Sequence, residues 1–471
     1  MFFEVLKSFF DTFGAAIFVP VVIFFIALAM KVTSKKAFMS ALSAGVGLQG
    51  FNLVIGAYSP IVTPIVNRMV EDNGVNLPVM DMGWQTTSIV AYSTEIGMIF
   101  IGVALLLQVV LYLTRFTNVF QAGDLWNNYS YMAWGSILFL MTGNFWLSFA
   151  CMVVMLLVTL LCTEVIEKRW SNYYHYPNCT IASLHTATIG IYAVPMNWLL
   201  DRIGLYKIQA DPVSFRKKLG FIGEPMTLGL FLGLFIGIIG NLSRIGTLEA
   251  WGEIASCGIA TAAVMAVFPK ISSIFAGSFS AITEASKKTM KGKGKGEWYL
   301  AVNDATGYGE TATLISGIIL MPLTLGVAFI LPGNLCLPML DLVAIPYIIQ
   351  PIVACSNGNI VKSVISGLGA MIVGLYCCSI TGEMFTQVAV STGMEIAAGV
   401  MMITSLVILG QPVGAIIFLA FASQSPIWIG LVIAVYVVCY ILMRKYKEQV
   451  HNWIEDQALY HGKKPQETPA T

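Results

Sequence analysis

Charge is what this 471-residue sequence has least of. Lys, Arg, Asp and Glu together make up 11% of it, less than half of the ~25% found in ordinary soluble domains. So few charges cannot cover a water-exposed globule, which excludes a soluble enzyme, a disordered chain and a nucleic-acid binder. The charges also nearly cancel, leaving a formal net of +1 and no global field to steer an anion or a nucleic acid. Spaced cysteine motifs are missing. The nine cysteines stand singly apart from Cys377–Cys378, none in a CxxC or zinc spacing, and their odd number speaks against a complete disulfide framework. They read as small hydrophobes inside a bundle. HExxH, GxSxG, a P-loop and a dinucleotide-binding glycine fingerprint are absent too. No metal, no cofactor and no self-contained catalysis are expected.

What remains is apolar. Hydrophobic residues make up 57% of the chain, with 43 glycines and a mean hydropathy of +0.78. Glycine in such a background lets membrane helices approach closely. With about 20 residues per crossing, the apolar content allows roughly ten to thirteen spans. The chain is therefore expected to be an all-α polytopic membrane protein. The start shows no cleavable signal peptide. Phe2, Phe3, Leu6, Phe9 and Phe10 alternate with Glu4, Lys7 and Asp11, as in a short interfacial helix.

The first span, Phe13 to Met30, stops at Lys31, Lys35 and Lys36; the last, Pro426 to Met443, stops at Arg444, Lys445 and Lys447. By the positive-inside rule both stops are cytoplasmic, so the N-terminus lies outside and the C-terminus inside. That requires an odd number of crossings. Intermediate basic stretches agree at Arg115, Lys168–Arg169, Arg202 to Lys218, Lys270 to Lys295 and Lys362. About eleven crossings are expected, with about nine or thirteen as the alternatives. Residues 1–450 read as one transmembrane domain and 451–471 as a polar cytoplasmic tail. Two basic segments, Asn197 to Leu219 and Lys270 to Trp298, are long enough to be either solvated loops or a docking surface for a soluble partner.

Two apolar stretches are broken. Ile181 to Pro195 carries His185, hydroxyls, a glycine and a proline, and Asn303 to Thr313 is rich in glycine and threonine. Unpaired backbone groups are not tolerated in hydrocarbon, so such pieces must be buried in protein or line a cavity. In transporters they form re-entrant hairpins, one in each half of an inverted repeat. No residue-level repeat joins the two halves.

Ionisable groups in apolar surroundings are functional candidates. The carboxylates are Asp81, Glu95, Asp124, Glu224, Glu310 and Asp341. Glu310 stands out among Thr306, Gly307, Gly309 and Thr311, either as a ligand contact or as a helix cap. Glu224 before Pro225 reads as a helix start. His185 is either a satisfied core histidine or a ligand contact, whereas His175, His451 and His461 read as surface or interfacial residues. Asp81-Met-Gly-Trp84-Gln85 and Asp124-Leu-Trp126-Asn127 each open a span with polar and indole groups suited to a polyol. These neutral polar clusters, with no buried basic cluster, favour an uncharged hydroxylated ligand.

Several stretches carry a family resemblance. Lys218-Leu-Gly-Phe-Ile-Gly-Glu-Pro-Met-Thr-Leu-Gly, Leu331-Pro-Gly-Asn-Leu-Cys-Leu-Pro-Met-Leu-Asp341-Leu, Asn357-Gly-Asn-Ile-Val-Lys-Ser-Val-Ile-Ser-Gly367, Asp81-Met-Gly-Trp84 and Asp124-Leu-Trp-Asn127 together resemble the membrane component (EIIC) of galactitol-type sugar phosphotransferase systems, over about residues 15 to 445. The resemblance implies a homodimeric bacterial inner-membrane permease related to the ascorbate-type EIIC fold. That fold has inverted halves, re-entrant hairpins and a mobile core that moves like an elevator. It also implies a sugar or polyol substrate, phosphorylated in the cytoplasm from a phosphocysteine on a separate EIIB, itself supplied through EIIA and HPr. The segment around His185-Thr186 is similar to the family's histidine-containing hairpin. Expected substrate contacts are thus His185, Thr186, Glu310, Thr311, Gln85 and Asn127, with Arg216, Lys217 and Lys218 as the EIIB-docking residues. Two departures widen the expected substrate from galactitol to a related polyol, pentitol or hexose. The chain has Gly309-Glu310-Thr311 where galactitol transporters have Gly-His-Thr, and a serine at Ser130 where they tend to have histidine. The rival reading is an ion-coupled secondary sugar transporter using Glu310 or Asp341; a membrane enzyme or scaffold is a remoter alternative.

Overall fold

The computed structural model describes residues 31–73, 77–121, 128–208, 224–278, 298–392 and 401–460, with isolated positions between 17 and 28 and at 210, 212, 394 and 396. The interfacial helix, most of the first span, Asp124 to Asn127, Arg216 to Lys218, the Lys288–Lys295 run and His461 lie outside the described residues.

Helices dominate. In chain order they begin with α1 (Ser34–Asn73), α2 (Trp84–Ser93), α3 (Glu95–Leu113), α4 (Tyr129–Thr142), α5 (Phe145–Tyr174), α6 (Leu184–Ala187), α7 (Ile189–Arg202), α8 (Pro225–Ile239) and α9 (Leu248–Gly277). The second half continues with α10 (Ala305–Tyr308), α11 (Thr311–Ile330), α12 (Ile345–Ile348), α13 (Gln350–Cys355), α14 (Ile360–Ser391), α15 (Pro412–Ala422) and α16 (Pro426–Ala458). Six helices among the described residues are long and apolar enough to cross a membrane, those starting at Glu95, Phe145, Leu248, Thr311, Ile360 and Pro426. The chain is a polytopic membrane protein. Its helix ends follow local chemistry. Thr94, Asn144 and Asn359 accept N–H bonds at the starts of α3, α5 and α14, as side-chain caps do. Gly143, at φ 67°, stops α4 in the left-handed conformation glycine adopts without strain. Glu224 stands at the N-cap of α8 with Pro225 at N1, the helix start expected for it.

The all-α expectation misses six short strands among the described residues: β1 (Val79–Asp81), β2 (Val119–Phe120), β3 (Cys179–Ile181), β4 (Tyr299–Val302), β5 (Cys336–Leu337) and β6 (Met402–Thr404). They form two parallel three-stranded sheets, ordered β5-β1-β6 and β2-β4-β3. Each sheet takes its central strand from one half of the chain and both flanking strands from the other. Val79 pairs with both Cys336 and Met402, and Leu300 with both Phe120 and Cys179. Exchanging β1, β2, β3 for β4, β5, β6 turns one sheet into the other. That relation between the halves is invisible in the residues, because the exchange preserves hydrogen bonding rather than side-chain identity.

The remaining helices pack around these sheets. Ahead of β1 stands α1, and ahead of β4 stand α8 and α9; α9 packs on both α1 and α8. Contact between α8 and α9 is backbone to backbone. A Cβ at Gly233 would meet the carbonyl of Cys257, and one at Gly237 would meet Cα of Ile254. This is the small-residue packing that substitutes for a hydrophobic driving force in lipid.

Buried charges tie the ends together. Asp81 accepts backbone N–H bonds from Gly83, Met339, Asp341 and Leu406, and Asp341 accepts from Trp84 N, Val407 N and the Ser405 hydroxyl. The two carboxylates thus fasten the segments that leave β1, β5 and β6. Lys362, read from sequence as a basic-loop residue, is instead buried in the first turn of α14 against Asp201 of α7, at 2.7 Å. His451 is also buried rather than on the surface. The final helix runs on past Lys447 to Ala458, where Ile454 and Ala458 are buried, and His451 Nε2 meets the Glu164 carbonyl at 2.7 Å. The helix kinks at Tyr446, and beyond the kink His451 packs against α5. His175 is exposed at the end of α5, as expected.

Two stability predictions follow from these contacts. Asp81→Ala leaves four N–H groups without this acceptor, three of them buried, each buried one costing about 1–3 kcal/mol, so thermal unfolding in detergent should show a loss of several kcal/mol, and Asp81→Asn a smaller one. Lys362→Met should destabilise by about 3–5 kcal/mol by taking the cation away from the buried Asp201 carboxylate. Adding Asp201→Asn should recover most of that loss, and equal melting of single and double variants would dismiss the pair's role.

Candidate functional site

Both broken segments fold the same way. In the first, β3 leads through Ala182-Ser183 into the one-turn α6, breaks at Thr188 and resumes as α7. In the second, β4 leads through Asn303-Asp304 into the one-turn α10, breaks at Gly309 and resumes as α11. β3 and β4 pair in register from Cys179–Leu300 to Ile181–Val302. The two one-turn helices therefore leave the same sheet edge side by side.

Their side chains meet there. His185 Nε2 lies 2.7 Å from Asp304 Oδ2, and the Thr186 hydroxyl donates to the same oxygen at 3.3 Å. On its other side His185 Nδ1 lies 3.0 Å from the hydroxyl of Ser130, in the first turn of α4. The Tyr129 ring is 6.2 Å from the imidazole, and Trp84 is 6.0 Å from Tyr129. His185 is 3% exposed and Asp304 4%. A carboxylate oxygen facing a ring N–H can only accept, so Nε2 carries the hydrogen in this contact. Nδ1 then accepts from Ser130 in the neutral ring or donates to it in the imidazolium, and both forms stay paired. Close by, Gln121 Oε1, Asn128 Nδ2 and Ser183 Oγ are buried without a hydrogen-bond partner. Gln121 donates to the Ala182 carbonyl, which fixes it beside Ser183. Buried unpaired polar atoms of this kind are costly and are what a hydroxyl-rich molecule could pair.

Of the residues expected from sequence, the structure brings His185 and Thr186 together on Asp304. Glu310 lies apart from that contact, half-buried at the N-cap of α11, where its oxygens accept from Ala312 N, Thr313 N and the Thr313 hydroxyl. Thr311 is half-buried in the same turn. Gly307, beside Glu310 in the sequence, leaves room for protein: a Cβ there would meet the Gln350 amide and the Tyr174 ring. The side chain of Gln85, all of Asn127 and Arg216 to Lys218 lie outside the described residues.

Asp304 was the omission. It sits in the same broken stretch as Glu310, and a carboxylate beside Asn303 in an apolar context already satisfied the criterion applied to the others. Ser130 carried a signal only as a departure from the galactitol pattern. A separate cleft of about 850 Å³ lies at the opposite ends of β2 and β4, with Asn118, Tyr299, Lys168, Arg444, Lys447 and His451 in its lining. Its Arg444 and Lys447 are already paired with Glu164, and it contains none of the expected contacts.

The capping geometry yields a direct test. Glu310→Ala should lower stability by about 1–2 kcal/mol, read as a lower unfolding temperature, whereas Glu310→Gln should retain part of the cap. A Glu310→Ala protein that melts like the wild type would remove the capping role.

The profile of the EIIC-GAT family, described as the PTS system sugar-specific permease component, matches residues 8–399. Over 427 residues the chain is 28% identical to the PTS system galactitol-specific EIIC component of Escherichia coli (strain K12), covering 90% of this chain and 92% of that protein. The counterpart from Escherichia coli O157:H7 matches to the same extent. A membrane chain with paired broken segments, matched along most of its length, belongs to the galactitol-type EIIC family of phosphotransferase-system sugar permeases.

Proposed function

We propose that this permease binds a neutral polyol, galactitol or a close relative, at the Asp304–His185–Thr186 contact. The polyol is then delivered to the cytoplasmic side for phosphorylation by phospho-EIIB. The observation that carries this reading is the buried Asp304–His185 pair, flanked by the Ser130 and Thr186 hydroxyls and by unpaired polar atoms. A carboxylate accepts polyol hydroxyls, an imidazole either donates or accepts, and neither needs a charged ligand to be satisfied. Gln85 and Asn127, each opening a span, would complete the polar lining, and Thr311 would lie at its edge.

The remaining expectations fit around this site. Exchange of central strands between the halves supports an inverted repeat. The α1, α8 and α9 unit is suited to a scaffold, and the two sheets with their one-turn helices to a core that moves against it within a homodimer. With the C-terminus cytoplasmic, Arg216, Lys217 and Lys218 are offered to EIIB. There the polyol oxygen attacks phosphorus, the S–P bond of the EIIB phosphocysteine breaks, the thiolate leaves and the hydroxyl proton passes to a base. Little covalent work falls to the permease, so its contribution is mainly positioning.

Radiolabelled galactitol uptake into vesicles, with phosphoenolpyruvate and the soluble phosphotransferase proteins present or omitted, tests the reading. Galactitol phosphate formed only in their presence, and lost with Asp304→Asn or His185→Ala in folded protein, is the expected result. Unmodified galactitol accumulating on an ion gradient would establish the ion-coupled alternative. Full uptake by both variants would move the site elsewhere.

A further inference from the structure

The conformation of Asp304 raises a question of support. It occupies the N-cap of α10, where an aspartate normally turns its carboxylate back onto its own helix. Here its side chain makes no capping bond and faces His185 instead. The neighbouring Asn303 takes over the local role, accepting from Ala305 N at 3.0 Å. Within the segment the Asp304 carbonyl accepts from Gly307 N at 3.2 Å, and a second, shorter bond to the same oxygen comes from outside the segment. Its donor is Gln350, the first residue of α13, which is 0% exposed. Its Nε2 donates to the Asp304 carbonyl at 2.5 Å, and its Oε1 accepts from the Trp170 indole at 3.1 Å.

We propose that Gln350 is the positioning residue of the site, fixing the Asp304 peptide so that its carboxylate stands against His185. The proposal rests on the reading of Asp304–His185 as the polyol site. Chemistry leaves one orientation for this amide. An indole N–H can only donate and a peptide carbonyl can only accept, so a donor and an acceptor must be presented in opposite directions. Glutamate lacks the donor, methionine lacks both and asparagine is one methylene shorter. The backbone of Gln350 is anchored too, because its own carbonyl accepts from the Tyr174 hydroxyl at 3.3 Å. The glycine at 307 belongs to the same arrangement, since a side chain there would push on the Gln350 carbonyl oxygen.

The test uses the full-length protein in detergent, with radiolabelled galactitol as the binding probe and ¹⁵N NMR of the histidine rings as a probe independent of any sugar. Gln350→Met removes the amide and Gly307→Ala displaces it from the other side. Both should weaken galactitol binding about tenfold or more and shift the His185 ring nitrogens. On an Asp304→Asn background, Gln350→Met should add less than about threefold, because residues that act through one another are not additive. If Gln350→Met lowers only the melting temperature, leaving affinity and the His185 signals at wild-type values, Gln350 merely packs and the proposal falls. If Asp304→Asn binds galactitol normally, the polyol-site reading fails. The His185 response to Gln350→Met would still decide the positioning.

Discussion

Backbone groups that leave a helix inside a membrane must find partners within the protein, and most of this fold is a consequence of that requirement. Six times the described chain abandons helical geometry for a short strand, and six times the exposed N–H and C=O groups are paired by a strand distant in sequence. A two- or four-residue strand could not survive alone. Grouping them in threes, with the centre of each sheet supplied by the opposite half, satisfies the groups and locks the halves together. Neither half can pair its own broken segments, so folding one requires the other. The same pairing aligns β3 with β4 and so brings two one-turn helices to a common edge. The juxtaposition of His185 with Asp304 follows from this backbone requirement.

Charge within the bundle obeys a related rule, since a buried ion must be met by an opposite ion or by several dipoles. Lys362 meets Asp201; Glu164 meets Arg444 and Lys447; Asp81 and Asp341 are met by rows of backbone N–H groups. Those arrangements are held chiefly by permanent charges and fixed peptide N–H groups, with the Ser405 hydroxyl added on Asp341. The Asp304 contact differs in kind. Its partners are an imidazole and a hydroxyl that both donate to the carboxylate, while the imidazole's other nitrogen can either accept from Ser130 or donate to it. An arrangement of that kind can accommodate the arrival and departure of a hydroxylated molecule, whereas the others can only hold the structure together.

How much of this was legible in the residues depended on whether a feature is local. The membrane class, the start of the last span at Pro426 and the breaks at Ile181 to Pro195 and Asn303 to Thr313 follow from hydropathy and from glycine, proline and polar residues. They were readable because each depends on a few consecutive positions. The strands were not, since a pair such as Val119-Phe120 has no signal apart from its partner nearly two hundred positions away. Lys362 and His451 were misread for the same reason. A lysine at a helix start looks solvated until Asp201 is placed opposite it, and a histidine beyond the last basic stop looks free until the helix is seen to continue. Glu310 drew attention that belonged equally to Asp304. Only packing showed that Gly307, three residues before Glu310, accommodates Gln350.

The electrostatics of the proposed site also bear on how cargo would leave it. A neutral polyol costs little to bring beside Asp304, because its hydroxyls replace hydrogen bonds to water with hydrogen bonds to carboxylate, imidazole and threonine. Phosphorylation adds about −1.5 to −2 of charge near neutral pH. In surroundings of reduced dielectric that charge is repelled by a carboxylate over several ångströms far more strongly than it would be in water. No buried cation stands free among the described residues of the site to offset it. On the proposed reading, the carboxylate that attracts the substrate's hydroxyls also disfavours the product. Discrimination of this kind comes from a repulsive element as much as an attractive one. It would make capture of the sugar and release of its phosphate two consequences of a single side chain, the one whose peptide accepts from the Gln350 amide.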